Sequence, residues 1–449
     1  MKKRILYGVL LTALTINLFL GARIYFTYAH ASEREDGYQS YELFTRVLER
    51  VRQDYVDGDK LTYQELVYGA LKGMLNTLDP HSEFMDAQKY RDLKDDTEGT
   101  FGGVGIVIGV RDNVLTVIAP MEDTPAFKAG ILTGDRIIKI EGKSTEKLTL
   151  QDAVKRLRGE PGTGVNITVL RPSSGQVRDV KLKREEIKVN TVKDIDGKRE
   201  FPLSENDTGY IRITQFGEPT NPELDDALKK LRKAGMQALI LDLRGNPGGL
   251  LDQAAKVCDK FLPRNQLIVS TEGRRVEERS EFRATGRGAY TDLPIAVLVN
   301  NGSASASEIV AGCLQDTTAL GVCRAVVIGE QTFGKGSVQK ILPLQGGAAL
   351  RLTTAKYYTP SHKVIHEKGI TPDIIVPMTI EEEEALLLRR TPGGIETLDE
   401  ERRQKVENAH DIQLERAFDL LKGISLYTKR NTGGERVAAR KSEKVAAAK

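Results

Sequence analysis

Residues 295–309, IAVLVNNGSASASEI, contain the segment that decides the fold of this 449-residue chain. Five consecutive apolar residues, 295–299, are typical of a buried strand. The small and polar residues that follow suit a tight turn, and a helix is predicted from Ala306 to about Leu314. A buried strand that leads directly into a helix indicates an α/β layered core.

The same alternation of apolar strands and helices extends along the chain on both sides of this segment. Strands are predicted over 209–214, 238–243 and 325–328, and helices over 222–233 and 250–261. The layered core is therefore predicted to occupy residues 186–379.

Ser305 lies between small residues, where the strand is predicted to have ended and the helix to begin. Small neighbours leave room for a substrate backbone, and free N–H groups at the start of a helix can stabilise an oxyanion. Ser305 is therefore a candidate nucleophile. A serine-rich helix cap without chemistry is the alternative interpretation.

Lys335 is flanked by glycines in GKGSVQ, residues 334–339, which predicts close backbone packing around a positioned amine. A lysine base requires burial, because burial lowers the lysine pKa from about 10.4 toward roughly 7–8. An exposed loop lysine is the alternative. Residues 329–335 also match the start of a phosphate-binding loop, but Gly336 replaces the Ser or Thr that would bind magnesium, which argues against nucleotide binding.

A glycine-rich turn, LDLRGNPGG at residues 241–249, follows another predicted buried strand. Such a turn exposes backbone N–H groups and can supply half of an oxyanion hole. A tight connection between strand and helix is the plainer interpretation, and the two interpretations are compatible.

Three motifs together resemble those of the C-terminal processing peptidases, also called tail-specific proteases. They are GSASASE at 302–308, TFGKGSVQ at 332–339 and DLRGNPGG at 242–249, supported by LDPHS at 78–82 and GITPD at 369–373. The resemblance covers about residues 40–378. It implies a crotonase-like (ClpP-like) core of β-α repeats and a serine endopeptidase that cleaves proteins near their C-terminus, with no metal and no cofactor.

The resemblance also implies a role for individual residues. Ser305 would be the nucleophile, Lys335 the general base, and Gln339 the residue that positions the lysine amine. The backbone N–H groups of Ala306 and of either Gly248 or Gly249 would form the oxyanion hole. A catalytically silent scaffold that only binds protein C-termini is the second hypothesis.

The chain departs from the family pattern in two places. The segment around 317–323 is longer than in the family, and we interpret it as a longer surface loop. His362 occupies a position where the family often has a turn glycine. His362 and His366 also admit a metal site or a Ser-His-Asp triad, but the sequence offers no third ligand or evident carboxylate partner.

Residues 99–185 resemble a PDZ domain, an α+β module inserted next to the core. The resemblance implies that the loop of Gly103, Val104, Gly105 and Ile106 binds the C-terminal carboxylate of a peptide, which adds as a strand beside 106–108. These glycines do not form a dinucleotide fingerprint, because no glycine follows at the sixth position and no helix follows directly.

The two ends of the chain differ from the core. Basic residues 2–4, an apolar run over 5–20 and the sequence AHA at 29–31 predict a signal peptide or membrane anchor over 1–31, with a buried core helix as the alternative. A signal peptide and a membrane anchor would both place the rest of the chain outside the cytoplasm, in the periplasm or at the outer face of the inner membrane. Residues 380–449 are predicted as a helical extension with a disordered basic tail.

Residues 32–98 are predicted as a small helical region of two amphipathic helices, the second opened by a capping box of Thr62 and Glu65. So short a helix pair suggests packing on another domain or on a second copy of the chain, hence a possible homodimer. The net charge of +3 gives no sign of nucleic-acid binding. The three cysteines lack metal-ligand spacing and are predicted to be buried small side chains. A disulfide between one pair is the alternative, and the sequence does not indicate which pair.

Overall fold

The computed structural model describes residues 2–111, 114–121, 124–132, 134–172, 174–390, 395 and 398–427. The α-helices are α1 (Lys2–Asp54), α2 (Tyr63–Asn76), α3 (Ala87–Glu98), α4 (Pro125–Lys128), α5 (Leu150–Leu157), α6 (Thr220–Ala234), α7 (Leu251–Asp259), α8 (Ala306–Ala319), α9 (Ile380–Arg390), α10 (Glu400–Glu407) and α11 (412–427). The strands are β1 (Glu83–Met85), β2 (Thr100–Gly103), β3 (Ile106–Arg111), β4 (Val114–Pro120), β5 (Arg136–Ile140), β6 (Lys143–Ser144), β7 (Gly164–Arg171), β8 (Gln176–Lys183), β9 (Glu185–Lys188), β10 (Val192–Lys193), β11 (Thr208–Ile213), β12 (Ala238–Asp242), β13 (Leu267–Gly273), β14 (Ser280–Arg283), β15 (Ile295–Val299), β16 (Ala325–Gly329), β17 (Ser337–Pro343), β18 (Ala349–Tyr358) and β19 (Ile374–Ile375).

The chain divides into two compact units, residues up to 84 and residues from 85 onward. The first unit is built on α1 and α2. The predicted capping box opens α2, because Thr62 Oγ1 accepts from the Glu65 amide at 3.1 Å and the Thr62 amide donates to the Glu65 carboxylate at 2.8 Å. The Tyr63 hydroxyl donates to Glu49 at 2.9 Å and so ties α2 to α1.

Both predictions for the chain ends concern residues that the structure describes little or not at all. Most of the leader, 1–31, has no described side chains, and the basic tail from 428 onward lies outside the described residues. Among the residues that are described, no helix combines the length and the apolar character needed to cross a membrane.

The second unit is organised around a six-stranded sheet with the order β10-β11-β12-β15-β16-β19, in which all strands but β10 run parallel. The four central strands, β11, β12, β15 and β16, bury both faces. In β12, Leu239 and Leu241 pack toward α6, α7 and α8, whereas Ala238 and Ile240 pack with Ala417 and Leu421 of α11. This two-sided burial explains the continuous apolar runs in the sequence, and it confirms the predicted α/β core.

A second, antiparallel sheet lies beside the core. In it β18 pairs with both β13 and β17, and β13 also pairs with β14. The register places Gln339 opposite Thr353 and Ile341 opposite Arg351. This sheet carries several residues of the site described below.

The module predicted as a PDZ domain has its own sheet, in the order β3-β4-β5-β7-β8, with a separate apolar core that includes Val117, Ile137 and Leu157. In the chain, β2 precedes this sheet and β9 follows it, and these two strands pair with each other as an antiparallel ribbon. The strand β3 lies at the edge of the sheet, so that one side of it is open to another strand.

The burial of the cysteines and of Thr317 tests two further predictions for the core. All three cysteines, Cys258, Cys313 and Cys323, are free and buried, as predicted. The segment around 317–323 is predicted to be a longer surface loop, and this prediction is wrong for its first residues, which belong to α8. Thr317 is fully buried in the last turn of α8, where its hydroxyl donates to the Cys313 carbonyl at 2.7 Å, so part of the extra length extends the helix.

Candidate active site

Three loops meet at one edge of the parallel sheet. They follow β12, β15 and β16 and cover residues 243–250, 300–305 and 330–336. Because β15 pairs with both β12 and β16, the carboxyl ends of the three strands lie side by side. Ligands and reacting groups in open α/β sheets are bound at this edge.

The backbone of Ser305 has an unusual conformation, with φ of 55° and ψ of −111° immediately before α8. Such a conformation is costly for a residue with a side chain, and strain of this kind concentrates at functional sites. The Ser305 side chain is only slightly exposed. The turn therefore holds the serine at the tip of a sharp connection from strand to helix.

Glu308 joins the nucleophile loop to the lysine loop. Its side chain is fully buried, and its Oε2 accepts from the amides of Ser305 at 2.8 Å and Lys335 at 2.9 Å. Its Oε1 accepts from Thr332 Oγ1 at 2.6 Å and from the Gly334 amide at 2.7 Å. Burial raises the pKa of Glu308, and these four hydrogen bonds oppose the rise. One carboxylate thus fixes the backbone on both sides of the candidate dyad.

The Lys335 side chain is half-buried, and this burial lowers its pKa. The positive charge of Arg351 lowers the pKa further, whereas the carboxylate of Glu308 raises it. A lowered pKa increases the neutral fraction of the amine, which is the form that can accept a proton.

Ser305 and Lys335 line the same cavity, which has a volume of about 640 Å³. The walls also include Gln339, Tyr357 and both glycines of the turn after β12. The lining also includes charged side chains, those of Asp96, Asp252 and Arg351. Apolar side chains in the lining are Leu93, Phe216, Leu251, Phe282, Val338 and Ile341. The amide nitrogen of Gln339 donates to Ser337 Oγ at 2.8 Å and to Thr353 Oγ1 at 3.2 Å.

The glycine-rich turn packs directly against the serine. A side-chain carbon at Gly248 would lie 2.7 Å from Ser305 Cβ and 2.9 Å from the Ala306 nitrogen, and φ there is +98°, so only glycine fits. The Gly248 amide donates to Asn246 Oδ1 at 2.9 Å, and the Gly248 carbonyl accepts from Phe216 at 2.9 Å. Since the C=O and N–H of a trans peptide point in opposite directions, the Gly249 N–H points away from Phe216.

Tyr357 lines the same cavity as Ser305, and it lies outside the sequence motifs. Burial raises the pKa of Tyr357 to about 12, and the nearby Ser305 side chain opposes this rise. The Tyr357 amide donates to the Gly336 carbonyl at 2.8 Å, which ties β18 to the lysine loop. Tyr357 is far from Ser305 in sequence, and nothing in its local pattern separates it from neighbouring Tyr358.

His362 and His366, the two histidines considered above for a metal site or a triad, lie outside the lining of the Ser305 cavity. His362 is exposed, its Nε2 lies 3.1 Å from Glu272 Oε1, and its ring stacks on Tyr358 at 4.5 Å. Glu272 is thus a carboxylate partner that the sequence did not reveal, but neither histidine lines the Ser305 cavity. His362 has φ of +60°, a left-handed conformation that glycine adopts more readily than other residues. Among the described residues, no group of three or more His, Cys, Asp or Glu is placed to hold a metal ion.

The stretch 329–335, which resembles a phosphate-binding loop, is followed by strand β17. A phosphate-binding loop leads into a helix whose N-terminus faces the phosphates. The structure therefore agrees with the sequence argument against nucleotide binding.

Two carbonyl groups of the loop before β3 accept hydrogen bonds from within the PDZ module. The Val104 carbonyl accepts from the Ala126 amide at 3.0 Å, and the Gly105 carbonyl accepts from the Met121 amide at 2.9 Å. The N–H groups of Gly105 and Ile106 belong to the same two peptides, so they point away from residues 121–126. Gly103 ends β2 opposite Glu185, and Val104 is buried in the module core.

Comparison with known proteins agrees with this geometry. The model of peptidase family S41 matches residues 207–376, and a PDZ domain model matches residues 116–171. A carboxy-terminal-processing protease of Bartonella bacilliformis is 45% identical over 355 residues, which is 78% of each chain. A carboxyl-terminal-processing protease of Picosynechococcus sp. is 39% identical over 331 residues, 73% of this chain and 77% of that one.

Among solved structures, the photosystem II D1 C-terminal processing protease is 28% identical, with a TM-score of 0.43, over 75% of this chain and 92% of that chain. The sequence identity to full-length processing proteases decides the assignment, because it extends over both the PDZ module and the core. The chain therefore belongs to peptidase family S41, together with the carboxy-terminal-processing proteases.

Proposed function

We propose that this chain is a serine endopeptidase that cleaves proteins near their C-terminus with a Ser305–Lys335 dyad. The neutral Lys335 amine takes the proton from Ser305 Oγ, and the oxygen attacks the peptide carbonyl. The peptide C–N bond then breaks, the departing amine takes that proton from Lys335 and leaves, and an acyl-enzyme remains. Water, activated by the same amine, then releases the acyl group. The observation that carries the proposal is the strained Ser305, held by Glu308 next to a lysine of lowered pKa.

Other residues support the dyad. Gln339 positions the lysine amine, because its amide nitrogen is held by Ser337 and Thr353 and its Oε1 is the end that can accept from Lys335. The oxyanion is stabilised by the Ala306 N–H and by the turn of Gly248 and Gly249. The Gly249 N–H is the better supported donor, since the Gly248 N–H already donates to Asn246.

The PDZ module captures the substrate tail. The terminal carboxylate binds the N–H groups that follow Val104, in the loop of Gly103, Val104, Gly105 and Ile106, and the tail pairs with the open edge of β3. The substrates are protein chains with free C-termini, and their apolar residues match the apolar part of the cavity lining.

The tail requirement is testable with one pair of substrates. An unfolded reporter protein with an apolar C-terminus should be cleaved, and the same protein with a C-terminal amide should be cleaved at least about tenfold more slowly at low substrate concentration, because a charged hydrogen-bond acceptor is lost. Products are identified by mass spectrometry. Equal rates for the two would contradict the role of the PDZ loop, and binding without products would favour the silent scaffold.

A second prediction concerns Tyr357. Tyr357→Phe removes the hydroxyl that faces the Ser305 side chain, so kcat/KM should fall by roughly 3–10-fold. Tyr358→Phe is the matched control, because Tyr358 stacks on His362 outside the cavity, and it should leave kcat/KM unchanged. The two variants are compared by initial cleavage rates of one peptide. A Tyr357→Phe enzyme as active as the control would exclude a role for the phenol.

The domain limits and the location remain part of the proposal. We assign 1–31 to a signal peptide or anchor, 32–98 to the N-terminal helical region, 99–185 to PDZ, 186–379 to the peptidase core and 380–449 to the C-terminal extension. The β2–β9 ribbon at 100–103 and 185–188 supports the PDZ limits. The leader pattern supports an extracytoplasmic location, periplasmic or membrane-attached, and the amphipathic helices of 32–98 support a homodimer.

A further inference from the structure

Arg244 is a buried arginine at the start of the glycine-rich turn, with a side chain only 4% exposed. Its guanidinium is held between two carboxylates. It donates to Asp242 from Nε at 3.0 Å and from Nη2 at 2.7 Å, and to Asp411 from Nη1 at 2.7 Å and from Nη2 at 2.9 Å. The pair of parallel bonds to Asp411 fixes the plane and direction of the guanidinium.

Asp411 belongs to the C-terminal extension, beyond the residues that the peptidase family model matches. It precedes α11, and its Oδ1 accepts from the Leu414 amide at 3.0 Å, in the manner of a helix cap. The first turn of α11 is bound a second time, since Gln413 accepts from Arg244 at 3.2 Å and donates to the Val376 carbonyl at 2.8 Å. The extension is therefore anchored at the arginine itself.

Asn246, two residues after Arg244 in the chain, connects the glycine-rich turn to the segment that carries the nucleophile. The carbonyl of Asn246 accepts from the Ala304 amide at 3.0 Å and from Ser307 Oγ at 2.9 Å, on either side of Ser305. The side chain of Asn246 holds Gly248. A shift of Arg244 would consequently move the turn that packs on Ser305.

A second contact from the extension reaches the same two loops. Glu383 of α9 accepts from Asn300 Nδ2 at 3.2 Å, and Asn300 Oδ1 accepts from the amides of Gly245 at 2.8 Å and Gly302 at 3.2 Å. The extension thus touches the nucleophile loop and the glycine-rich turn at separate points.

We propose that the C-terminal extension positions the oxyanion hole, with Asp411 as the positioning residue that acts through Arg244. This inference rests on the Ser305 site proposed above. Hydrogen-bond donors stabilise a transition state only if they are already aimed at the developing charge, and displacements of about 1 Å can cost on the order of a hundredfold in rate. Loss of the Asp411 carboxylate would leave the buried guanidinium with only one of its two carboxylate partners and would release the turn.

The test uses the full-length protein with Asp411→Asn, a neutral side chain of nearly the same shape. We expect kcat to fall on the order of a hundredfold with KM within a few fold, because the oxyanion forms only during reaction. The inhibition constant of a peptide aldehyde should rise in parallel, since the oxygen of its adduct with Ser305 occupies the hole. Glu415→Gln, which removes an exposed pairing with His410 on the same segment, is the control and should behave as the wild type.

Active-site titration and melting temperature separate positioning from simple loss of fold. If kcat per titrated site and the aldehyde constant of Asp411→Asn equal those of the wild type, Asp411 only fastens the helix and the inference is wrong. If Asp411→Asn does not fold, it is replaced by Asp411→Glu, which keeps the charge on a longer side chain. The kcat per titrated site and the aldehyde inhibition constant of Asp411→Glu then decide whether Asp411 has the proposed role. Ser305→Ala, measured in parallel, must be inactive; cleavage by that variant would overturn the proposed site rather than the role of Asp411.

Discussion

Replacing Ser305 by alanine should abolish peptide cleavage while leaving the fold intact. The variant loses the attacking oxygen, and loss of the nucleophile of a serine peptidase can reduce kcat on the order of a million-fold. The backbone hydrogen bond from residue 305 to Glu308 does not need the hydroxyl, so the two loops should stay joined. Ser305 is buried, but only one hydroxyl is removed, so the free energy of unfolding should change by no more than about 1–3 kcal/mol.

The measurement is the appearance of cleaved reporter protein over hours, with the melting temperature recorded for the same sample. Ser144→Ala, at an exposed position in the PDZ module, is the control and should cleave like the wild type. Product formation by Ser305→Ala at more than a trace of the wild-type rate would remove Ser305 from the mechanism.

Replacing Lys335 by alanine or by arginine should cause a loss of similar size. Alanine has no base, and arginine stays protonated at every pH at which the protein is folded, so neither can take the serine proton. Lys335→Arg is the stricter test because it keeps the positive charge and much of the side-chain volume. A general electrostatic role for the cation would be preserved by arginine, whereas a role as base would not.

Lys340→Ala is the matched control for this position, because Lys340 is an exposed lysine on the same strand, β17. Its kcat/KM should equal that of the wild type. A Lys335→Arg enzyme that retains a tenth or more of wild-type kcat/KM would show that proton transfer does not depend on this side chain.

The parallel core could be predicted from sequence because its strands are buried on both faces. The strand Ile295–Val299 was predicted with the bounds that the structure has, and β12 and β16 within one residue. Their apolar runs are continuous, and each is followed by a glycine-containing turn. The start of α8 at Ala306 was predicted for the same reason, but its end was not, because buried Thr317 continues a helix in a stretch of polar residues.

The residues that hold the site together could not be predicted in this way. Glu308 is the last residue of the serine motif, yet three of its four donors come from a loop more than twenty residues away and the fourth is Ser305. Tyr357 and Asp411 are further still along the chain. A local pattern cannot reveal which buried polar groups become partners, since that depends on how the strands and helices pack.

The electrostatics of Lys335 are likewise a property of the packed structure. Burial and Arg351 both lower its pKa, and Glu308 opposes them. The sequence motif GKGSVQ indicates a positioned amine, but it does not contain Arg351, which lies across the β17–β18 pair opposite Ile341. The motif therefore predicts the base, and the fold sets its proton affinity.

The central claim is that a neutral Lys335 deprotonates Ser305, and the most direct test is the pH dependence of Ser305 acylation by an activated ester. In the wild-type enzyme the acylation rate should rise with pH through a midpoint below the free-lysine value of about 10.4, as the amine loses its proton. In Lys335→Ala that rise should disappear and the remaining rate should be small. Identical pH profiles in the two enzymes would contradict the mechanism.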